Sequence, residues 1–362
     1  MNRYTHGGNL YKAAREAGGD AFLDFSANIN PLGLPDSVTQ ALTAALPSIV
    51  HYPDPEAVAL REALTGHYGM APETLVLGNG AAELFYLLCL VRRPSRVLIS
   101  PPSFSEYERS ALAAGAEVKF VPLGAAPDFA VDWDALLATA TAGTLVFLGQ
   151  PNNPTGTLLE MGALKRFLSE TADKDCFVVV DESFLDFIDA DGTLSCQDWV
   201  AQYPHLAAVR SLTKIFAIPG LRLGFGVMAP QLATALEAAK DQWNVNTLAQ
   251  VAGAAALTDD DYLKRTREMV PVWRRQLLTG LIAFAGIRTI PSAVNFILLD
   301  MRGTGKDAPW WRQAFWKKRI LVRDCSNYAA LPPEHIRIAV RTETENECFL
   351  TALQAIMEEE GL

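Results

Sequence analysis

The sequence predicts an α/β fold in which a large domain carries a mainly parallel sheet covered by helices, followed by a smaller α+β domain. Short runs rich in Val, Leu, Ile and Phe alternate with longer Ala- and Leu-rich segments, as strands alternate with crossover helices. Several of these runs are apolar throughout, which is typical of parallel strands with both faces covered. Polar motifs directly follow several of the runs, where open α/β sheets bind their ligands.

Predicted strands of the large domain occupy residues 74–77, 96–99, 144–148, 177–180, 207–209 and 223–227. The segment from about residue 236 to residue 270 reads as one long helical stretch. Two further runs, at 295–299 and 336–340, predict strands of the smaller domain. We therefore expect an N-terminal arm associated with the small domain at residues 1–30, the large domain at 31–255 and the small domain at 256–362.

Composition argues against several classes of function. The 362 residues are 50% hydrophobic, which is enough for a sizeable core, and the net charge of -10 argues against a nucleic-acid surface. The five cysteines lie far apart without a CxxC pair, so we expect neither a zinc site nor disulfides. Residues 1–9 lack the apolar core of a signal peptide, and no apolar run is long enough to span a bilayer. We expect a cytoplasmic protein without a metal, nucleic-acid or membrane partner.

A candidate anion site surrounds Lys214, which lies between hydroxyl side chains and an arginine. Ser211 and Thr213 supply hydroxyl donors, and the guanidinium of Arg222 can bind a phosphate through two hydrogen bonds. The Gly-rich turn at residues 78–80 follows a predicted strand and opens an apolar helix, whose first backbone N–H groups could hold the same phosphate. A turn of this kind is also common for structural reasons alone.

Other side chains suggest a flat aromatic ligand. Asp181 ends an apolar predicted strand, where its carboxylate would lose solvation unless it met a cation such as a protonated ring nitrogen. Asn153, in the turn-forming segment 152–156, could donate a hydrogen bond to a phenolate oxygen, and Phe104 could stack on a ring. A helix cap, an ordinary turn and core packing are the alternatives for these side chains. A ring nitrogen, a phenolate, a phosphate and an aldehyde for Lys214 together describe pyridoxal 5'-phosphate.

The chain resembles the fold-type I pyridoxal-phosphate enzymes, which have the aspartate aminotransferase-like fold, over nearly its whole length and in the expected motif order. The resemblance implies that Lys214 forms a Schiff base with the cofactor, Asp181 binds the pyridine nitrogen and Asn153 binds the phenolate. It also implies that Phe104 covers the ring face. The implied ligands of the cofactor phosphate are Gly80, Ala81, Ser211, Thr213 and Arg222, with Ala81 using only its backbone.

The resemblance also implies a homodimer, because in this family two subunits share each active site. Tyr52, in the segment 51–55, matches a tyrosine that reaches the cofactor phosphate of the neighbouring subunit. Without the comparison, this Tyr-Pro-Asp-Pro segment would be interpreted as a rigid loop with a packed aromatic side chain.

The segments 6–9, 24–33 and 336–342 are similar to those of L-threonine-O-3-phosphate decarboxylases of cobalamin biosynthesis, which are relatives of the histidinol-phosphate aminotransferases. The implied reaction is decarboxylation of L-threonine O-3-phosphate to (R)-1-amino-2-propanol O-phosphate. An aminotransferase is the nearest alternative, because the cofactor motifs serve both reactions. A non-catalytic regulator or binding module with this fold is disfavoured by the complete set of cofactor residues.

The same resemblance implies a set of substrate-binding residues. Arg337 should bind the substrate carboxylate, with the Asn30 loop helping to fix it. Arg323 matches an arginine near the substrate phosphate in related aminotransferases, whereas Arg341 stands where those enzymes usually have glycine. Either arginine could instead form a surface salt bridge. His6 is a further candidate donor to the phosphate, although a histidine so close to a terminus could also lack any partner.

Phe184 is a departure from many aminotransferases of this group, which carry a tyrosine hydrogen-bonded to the cofactor phenolate. The missing hydroxyl removes one donor to that oxygen. We therefore expect the pKa of the Schiff base at Lys214 to be higher than in those enzymes.

Overall fold

The computed structural model describes residues 6–19, 21–126 and 128–362. In chain order, the strands are β1 (Leu23–Asp24), β2 (Leu75–Gly78), β3 (Arg96–Ile99), β4 (Glu117–Phe120), β5 (Thr144–Gly149), β6 (Cys176–Asp181), β7 (Leu206–Ser211), β8 (Gly224–Met228), β9 (Arg288–Thr289), β10 (Phe296–Asp300), β11 (Ile320–Leu321), β12 (Arg323–Asp324) and β13 (His335–Ala339). The helices are α1 (Leu10–Glu16), α2 (Asp36–Ala45), α3 (Val58–Tyr68), α4 (Ala81–Arg92), α5 (Ser105–Ala113), α6 (Trp133–Thr139), α7 (Met161–Thr171), α8 (Leu212–Ile215), α9 (Pro230–Ala239), α10 (Thr247–Leu257), α11 (Asp260–Leu281), α12 (Ala308–Lys317) and α13 (Glu343–Glu360).

The large sheet has seven strands in the order β2-β8-β7-β6-β5-β3-β4. Neighbouring strands are parallel except at β8, which runs antiparallel to β2 and to β7. Every residue of β5, β6 and β7 is buried, and apolar side chains pack on both faces of the sheet. The α/β class and the mainly parallel sheet predicted from the sequence are therefore confirmed.

Each predicted strand has a counterpart in the structure, but β4 is an additional strand. It pairs with β3 at the edge of the large sheet, and both Glu117 and Phe120 are exposed. A strand with this exposure does not need an apolar run, so the pattern that identifies the central strands is absent here.

The long helical stretch predicted for residues 236–270 is wrong, because the chain is divided there among α9, α10 and α11. Asn246 caps the amino end of α10, because its side chain accepts a hydrogen bond from the N–H of Ala249. The side chain of Asp259 likewise accepts from the N–H of Tyr262 and begins α11. Both residue types are favoured at helix N-termini, so the sequence did contain the two interruptions.

The small domain contains a four-stranded antiparallel sheet in the order β12-β13-β10-β9. In this sheet Arg323 lies directly opposite Arg337. A separate parallel pair joins β1 to β11, with Leu23 opposite Ile320. This pairing supports the proposed assignment of the N-terminal arm to the small domain.

Three further observations concern membranes, metals and disulfides. No helix in the described part of the chain is both long enough and apolar enough to cross a membrane. Within the same residues, no three His, Cys, Asp or Glu side chains are grouped so that they could hold a metal ion. The five cysteines are unpaired, and all except Cys348 are buried.

Candidate active site

A cavity of about 420 Å³ opens where the carboxyl ends of the large sheet face the small domain. Asp181 and Ser211, the last residues of β6 and β7, line it from one side, and Arg323 and Arg337 line it from β12 and β13. The predicted site residues that the structure brings together in this lining are His6, Ala81, Phe104, Asn153, Asp181, Ser211, Thr213, Lys214, Arg222, Arg323 and Arg337.

Lys214 enters the cavity from α8, the short helix that directly follows β7. Burial lowers the pKa of its amine to about 8, and the positive charges of Arg222 and Arg337 act in the same direction. Among the described residues, the amine has neither a hydrogen-bond partner nor an ion-pair partner. A substantial unprotonated fraction near neutral pH makes Lys214 a competent nucleophile toward an aldehyde.

The amino end of α4 forms a cradle for an anion beside Lys214. Gly80 caps this helix with a φ of 83°, in the region that favours glycine, and a Cβ there would lie 2.3 Å from Nη2 of Arg222. Across the cradle, the hydroxyls of Ser211 and Thr213 are 2.7 Å apart. Helix N–H groups, two hydroxyls and a guanidinium together form an arrangement suited to a phosphate.

Gly224, the first residue of β8, permits this arrangement. A Cβ at this position would lie 2.4 Å from the backbone nitrogen of Ala81. Any larger residue would therefore push the start of α4 away from the sheet. The sequence pattern could not identify Gly224, because the close approach joins segments far apart in the chain.

Asp181 is a buried carboxylate without a cationic partner among the described residues. Its Oδ2 accepts a hydrogen bond from the hydroxyl of Tyr107 at 2.6 Å, and its Oδ1 accepts one from the N–H of Ser183 at 3.0 Å. Burial raises the pKa of Asp181, and these hydrogen bonds oppose that effect. A cation on the cavity side would supply the compensation that the protein leaves out.

Arg337 is a buried cation that has no acidic partner in the described ranges. Its Nη1 donates to Oδ1 of Asn153, its Nη2 donates to the carbonyl of Ser26 at 3.1 Å, and its Nε has no partner. Burial lowers the pKa of this guanidinium, and the charge of Arg323 adds to the effect. An anionic ligand would therefore be stabilised strongly here.

His6, Phe104 and Arg323 all line the cavity. Nη2 of Arg323 donates to Oδ1 of Asn327 at 2.8 Å, and its guanidinium lies 5.2 Å from the centre of the Tyr328 ring. Nε2 of His6 lies 2.8 Å from Oε1 of Glu106, and its ring centre is 5.6 Å from that of Phe104.

Glu106 introduces a negative charge at the edge of the cavity that the sequence does not predict. Burial alone would raise its pKa, but hydrogen bonds from His6 and Arg109 lower the pKa of Glu106 to about 2. This carboxylate is therefore ionised and holds the N-terminal arm against α5.

Asn30 and Arg341 do not enter the cavity, contrary to the expectation of direct substrate contacts. The amide of Asn30 is buried and donates to the carbonyl of Ile215 at 2.7 Å and to the hydroxyl of Thr266 at 2.8 Å. It therefore supports the segment after Lys214. Arg341 immediately precedes Thr342, the capping residue of α13, and Glu345 lies in the first turn of that helix. Nη2 of Arg341 therefore reaches Oε1 of Glu345 and donates to it at 2.6 Å.

Tyr52 also lies outside this cavity, and its role at a neighbouring subunit stays a prediction. Its side chain is 76% exposed and stacks on Trp243 with ring centres 4.4 Å apart. Phe184 does line the cavity and packs edge-on against Phe296. Tyr107 and Tyr328 were not identified from the sequence as residues of the site region. Tyr107 was the easier of the two to identify, because it lies one helical turn after Phe104.

The fold and the chemistry at the ends of β6 and β7 define the class, an enzyme of fold type I that uses pyridoxal 5'-phosphate. The chain belongs to the aminotransferase class I and II family, whose model matches residues 20–353.

Relatives in this family carry out different reactions. The chain is 35% identical to the threonine-phosphate decarboxylase of Salmonella typhimurium over 98% of its length and 96% of that protein. It is 34% identical to the histidinol-phosphate aminotransferase of Symbiobacterium thermophilum over 99% of its length and 97% of that protein. The crystal structure of the histidinol-phosphate aminotransferase of Clostridium acetobutylicum superposes with a TM-score of 0.86 at 28% identity, covering 93% of this chain and 99% of that one.

Proposed function

We propose that the protein decarboxylates L-threonine O-3-phosphate to (R)-1-amino-2-propanol O-phosphate and carbon dioxide, a step in cobalamin biosynthesis. The observation that carries this proposal is the pair of buried arginines, Arg323 and Arg337, on the same cavity wall. Neither has an acidic partner within the residues that the structure describes, and Lys214 faces the same space. A substrate with both a phosphate and a carboxylate next to its amine satisfies both guanidinium groups.

The residues around Lys214 fit pyridoxal 5'-phosphate. Gly80 lacks the Cβ that would collide with Arg222, so the guanidinium can lie against the amino end of α4, where both groups could bind one phosphate. Asp181 presents a carboxylate in need of a cation, which the ring nitrogen supplies. The amide nitrogen of Asn153 remains available to the phenolate, because only the amide oxygen is used by Arg337 and Tyr328. When bound, the cofactor accepts the electron pair released at the substrate Cα.

We assign the remaining roles to residues of this chain as part of the same proposal. Lys214 would link to the cofactor aldehyde, Asp181 would keep the ring nitrogen protonated, and Phe104 would cover the ring. The phosphate is held by the backbone of Gly80 and Ala81 and by the side chains of Ser211, Thr213 and Arg222.

Arg337 selects the reaction by fixing the substrate carboxylate. The bond that breaks must stand perpendicular to the cofactor ring, so a decarboxylase holds the carboxylate in that position, whereas an aminotransferase places the Cα–H bond there. Arg323 binds the substrate phosphate, with His6 as an additional candidate donor. After carbon dioxide leaves, Cα takes up a proton, and the amine of Lys214, which lines the cavity, is a candidate donor.

Histidinol-phosphate aminotransferase is the second candidate, because relatives with that activity are equally similar to this chain. The two candidates share the need for a phosphate site, which Arg323 serves in either case. They differ in the second substrate, since transamination requires a 2-oxo acid to regenerate the cofactor and decarboxylation does not.

Product analysis of the holoenzyme tests the proposal. With L-threonine O-3-phosphate and no 2-oxo acid, we expect equal amounts of carbon dioxide and the phosphorylated amino alcohol, measured by mass spectrometry over many turnovers. The Lys214→Ala protein is the matched control and should give neither product. Glutamate formation from histidinol phosphate and 2-oxoglutarate, without carbon dioxide from threonine phosphate, would show that the second candidate is right. Inactivity in both assays would favour a binding function.

We also propose that two copies of the chain form a dimer with shared active sites. Exposed apolar side chains accompany Tyr52 on this part of the surface, namely Leu46, Ile49, Val50 and Trp243. Contiguous apolar surface of this kind often marks a protein interface. Sedimentation velocity should give twice the chain mass of 39.4 kDa at micromolar concentration. A protein that stays monomeric while fully active would contradict the shared site.

A further inference from the structure

Tyr107 lies behind Asp181 and outside the cavity lining. It is only 1% exposed, and its hydroxyl donates to Oδ2 of Asp181 at 2.6 Å. The Tyr107 ring stacks on Phe147 with centres 4.9 Å apart and planes 6° apart, and it meets Phe85 edge-on at 5.2 Å. The core therefore fixes the position of the hydroxyl, which cannot follow a movement of the carboxylate.

The direction of this hydrogen bond is fixed as well. Burial raises the pKa of Tyr107 well above its ordinary value, and the negative charge of Asp181 adds to the effect. The phenol therefore stays protonated and can only donate to an ionised carboxylate. Burial raises the pKa of Asp181, and the hydrogen bonds from Tyr107 and Ser183 lower it.

We propose that Tyr107 is a positioning residue, which keeps Asp181 ionised and aimed at the ring nitrogen of the cofactor. Asp181 then acts on the cofactor directly, and Tyr107 acts only through Asp181. This inference rests on the proposed role of Asp181 in cofactor binding. It does not depend on the choice between decarboxylation and transamination, so the product assay and the following test can fail independently.

Tyr107→Phe tests the proposal because it removes the hydroxyl and keeps the ring that packs on Phe147. We expect the full-length protein to bind pyridoxal 5'-phosphate about ten- to a hundredfold more weakly, as measured by equilibrium dialysis of the holoenzyme. Tyr203→Phe is the matched control: this buried tyrosine hydrogen-bonds to Ser169 at 3.0 Å and is not part of the cavity lining. The control should change cofactor affinity by less than about twofold.

The pH dependence separates a positioning role from a purely structural one. Loss of the Tyr107 hydrogen bond raises the pKa of Asp181 further, so the carboxyl group becomes neutral at a higher pH than in the wild type. As the pH is lowered, the affinity of Tyr107→Phe for the cofactor should therefore begin to fall earlier than that of the wild-type protein. Parallel pH profiles that differ only by a constant factor would overturn the proposal.

A double-mutant cycle with Asp181→Asn provides a second, independent arm. If Tyr107 acts only through the carboxylate, then Tyr107→Phe should change cofactor affinity by less than about twofold in the Asp181→Asn protein. The same ten- to hundredfold loss in both backgrounds would mean that Tyr107 acts by packing, and the proposal would be wrong. Thermal melting of all four proteins shows whether each remains folded under the conditions of the assay.

Discussion

Replacing Lys214 by alanine is expected to lower turnover by at least about a thousandfold and to abolish covalent attachment of the cofactor. The reason is that, among the residues that the structure describes, Lys214 supplies the one amine in the cavity lining, beside the anion cradle at the amino end of α4. Borohydride reduction of the holoenzyme followed by peptide mass spectrometry should locate the cofactor on Lys214. Lys165→Ala is the control, because Lys165 lies on the exposed face of α7.

The pH dependence of cofactor capture tests the same residue in the wild-type protein. Because the pKa of Lys214 is lowered to about 8 and only the neutral amine attacks an aldehyde, the capture rate should rise with pH through a midpoint near 8 and level off above it. Arg337→Gln removes a neighbouring positive charge and should move the midpoint to higher pH. A wild-type midpoint near the 10.5 of an ordinary lysine, or reduction at another lysine, would contradict the assignment.

Replacing Arg337 by glutamine is expected to lower kcat/KM for the substrate by a factor of about 30 to several thousand. This range corresponds to the loss of about 2–5 kcal/mol when one partner of a buried, hydrogen-bonded charge pair is removed. Steady-state kinetics should show the loss for the amino acid substrate. The decarboxylated product, which lacks the carboxylate, should inhibit the variant and the wild type with similar inhibition constants.

Arg341→Gln provides the matched control for Arg337→Gln. Arg341 follows the same strand but pairs with Glu345 outside the cavity, so its loss should change kcat/KM by less than about threefold. A loss as large as that of Arg337→Gln would show that Arg341 reaches the substrate after all. In that case the geometry described here would not represent the substrate-bound protein.

The clustering of the candidate cofactor residues could be predicted from the sequence because some of them lie at the ends of apolar strands. Asp181 and Ser211 are the last residues of β6 and β7, and the register of a parallel sheet brings such ends together. The types of these residues then indicated that the ligand carries a phosphate and an aromatic ring. The resemblance to a known family supplied the individual roles, which strand endings alone could not distinguish.

Residues whose roles depend on distant neighbours could not be predicted in this way. Asn30 looked suited to a ligand, but its donors are used by Ile215 and Thr266, the latter 236 residues away. Tyr107 was not singled out from the sequence, and its contact with Asp181 spans 74 residues. No pattern along the chain encodes contacts of this kind, because they depend on how whole layers pack.

Arg323 and Arg337 lie opposite each other on β12 and β13, and this pairing has an energetic consequence for the protein without a ligand. Like charges at facing positions of neighbouring strands repel each other, and no carboxylate in the described part of the chain forms an ion pair with either arginine. An anionic ligand removes this repulsion when it binds. We therefore expect an anionic ligand at these two arginines to stabilise the small-domain sheet, so that ligand affinity and the local stability of this sheet would be two measures of one interaction.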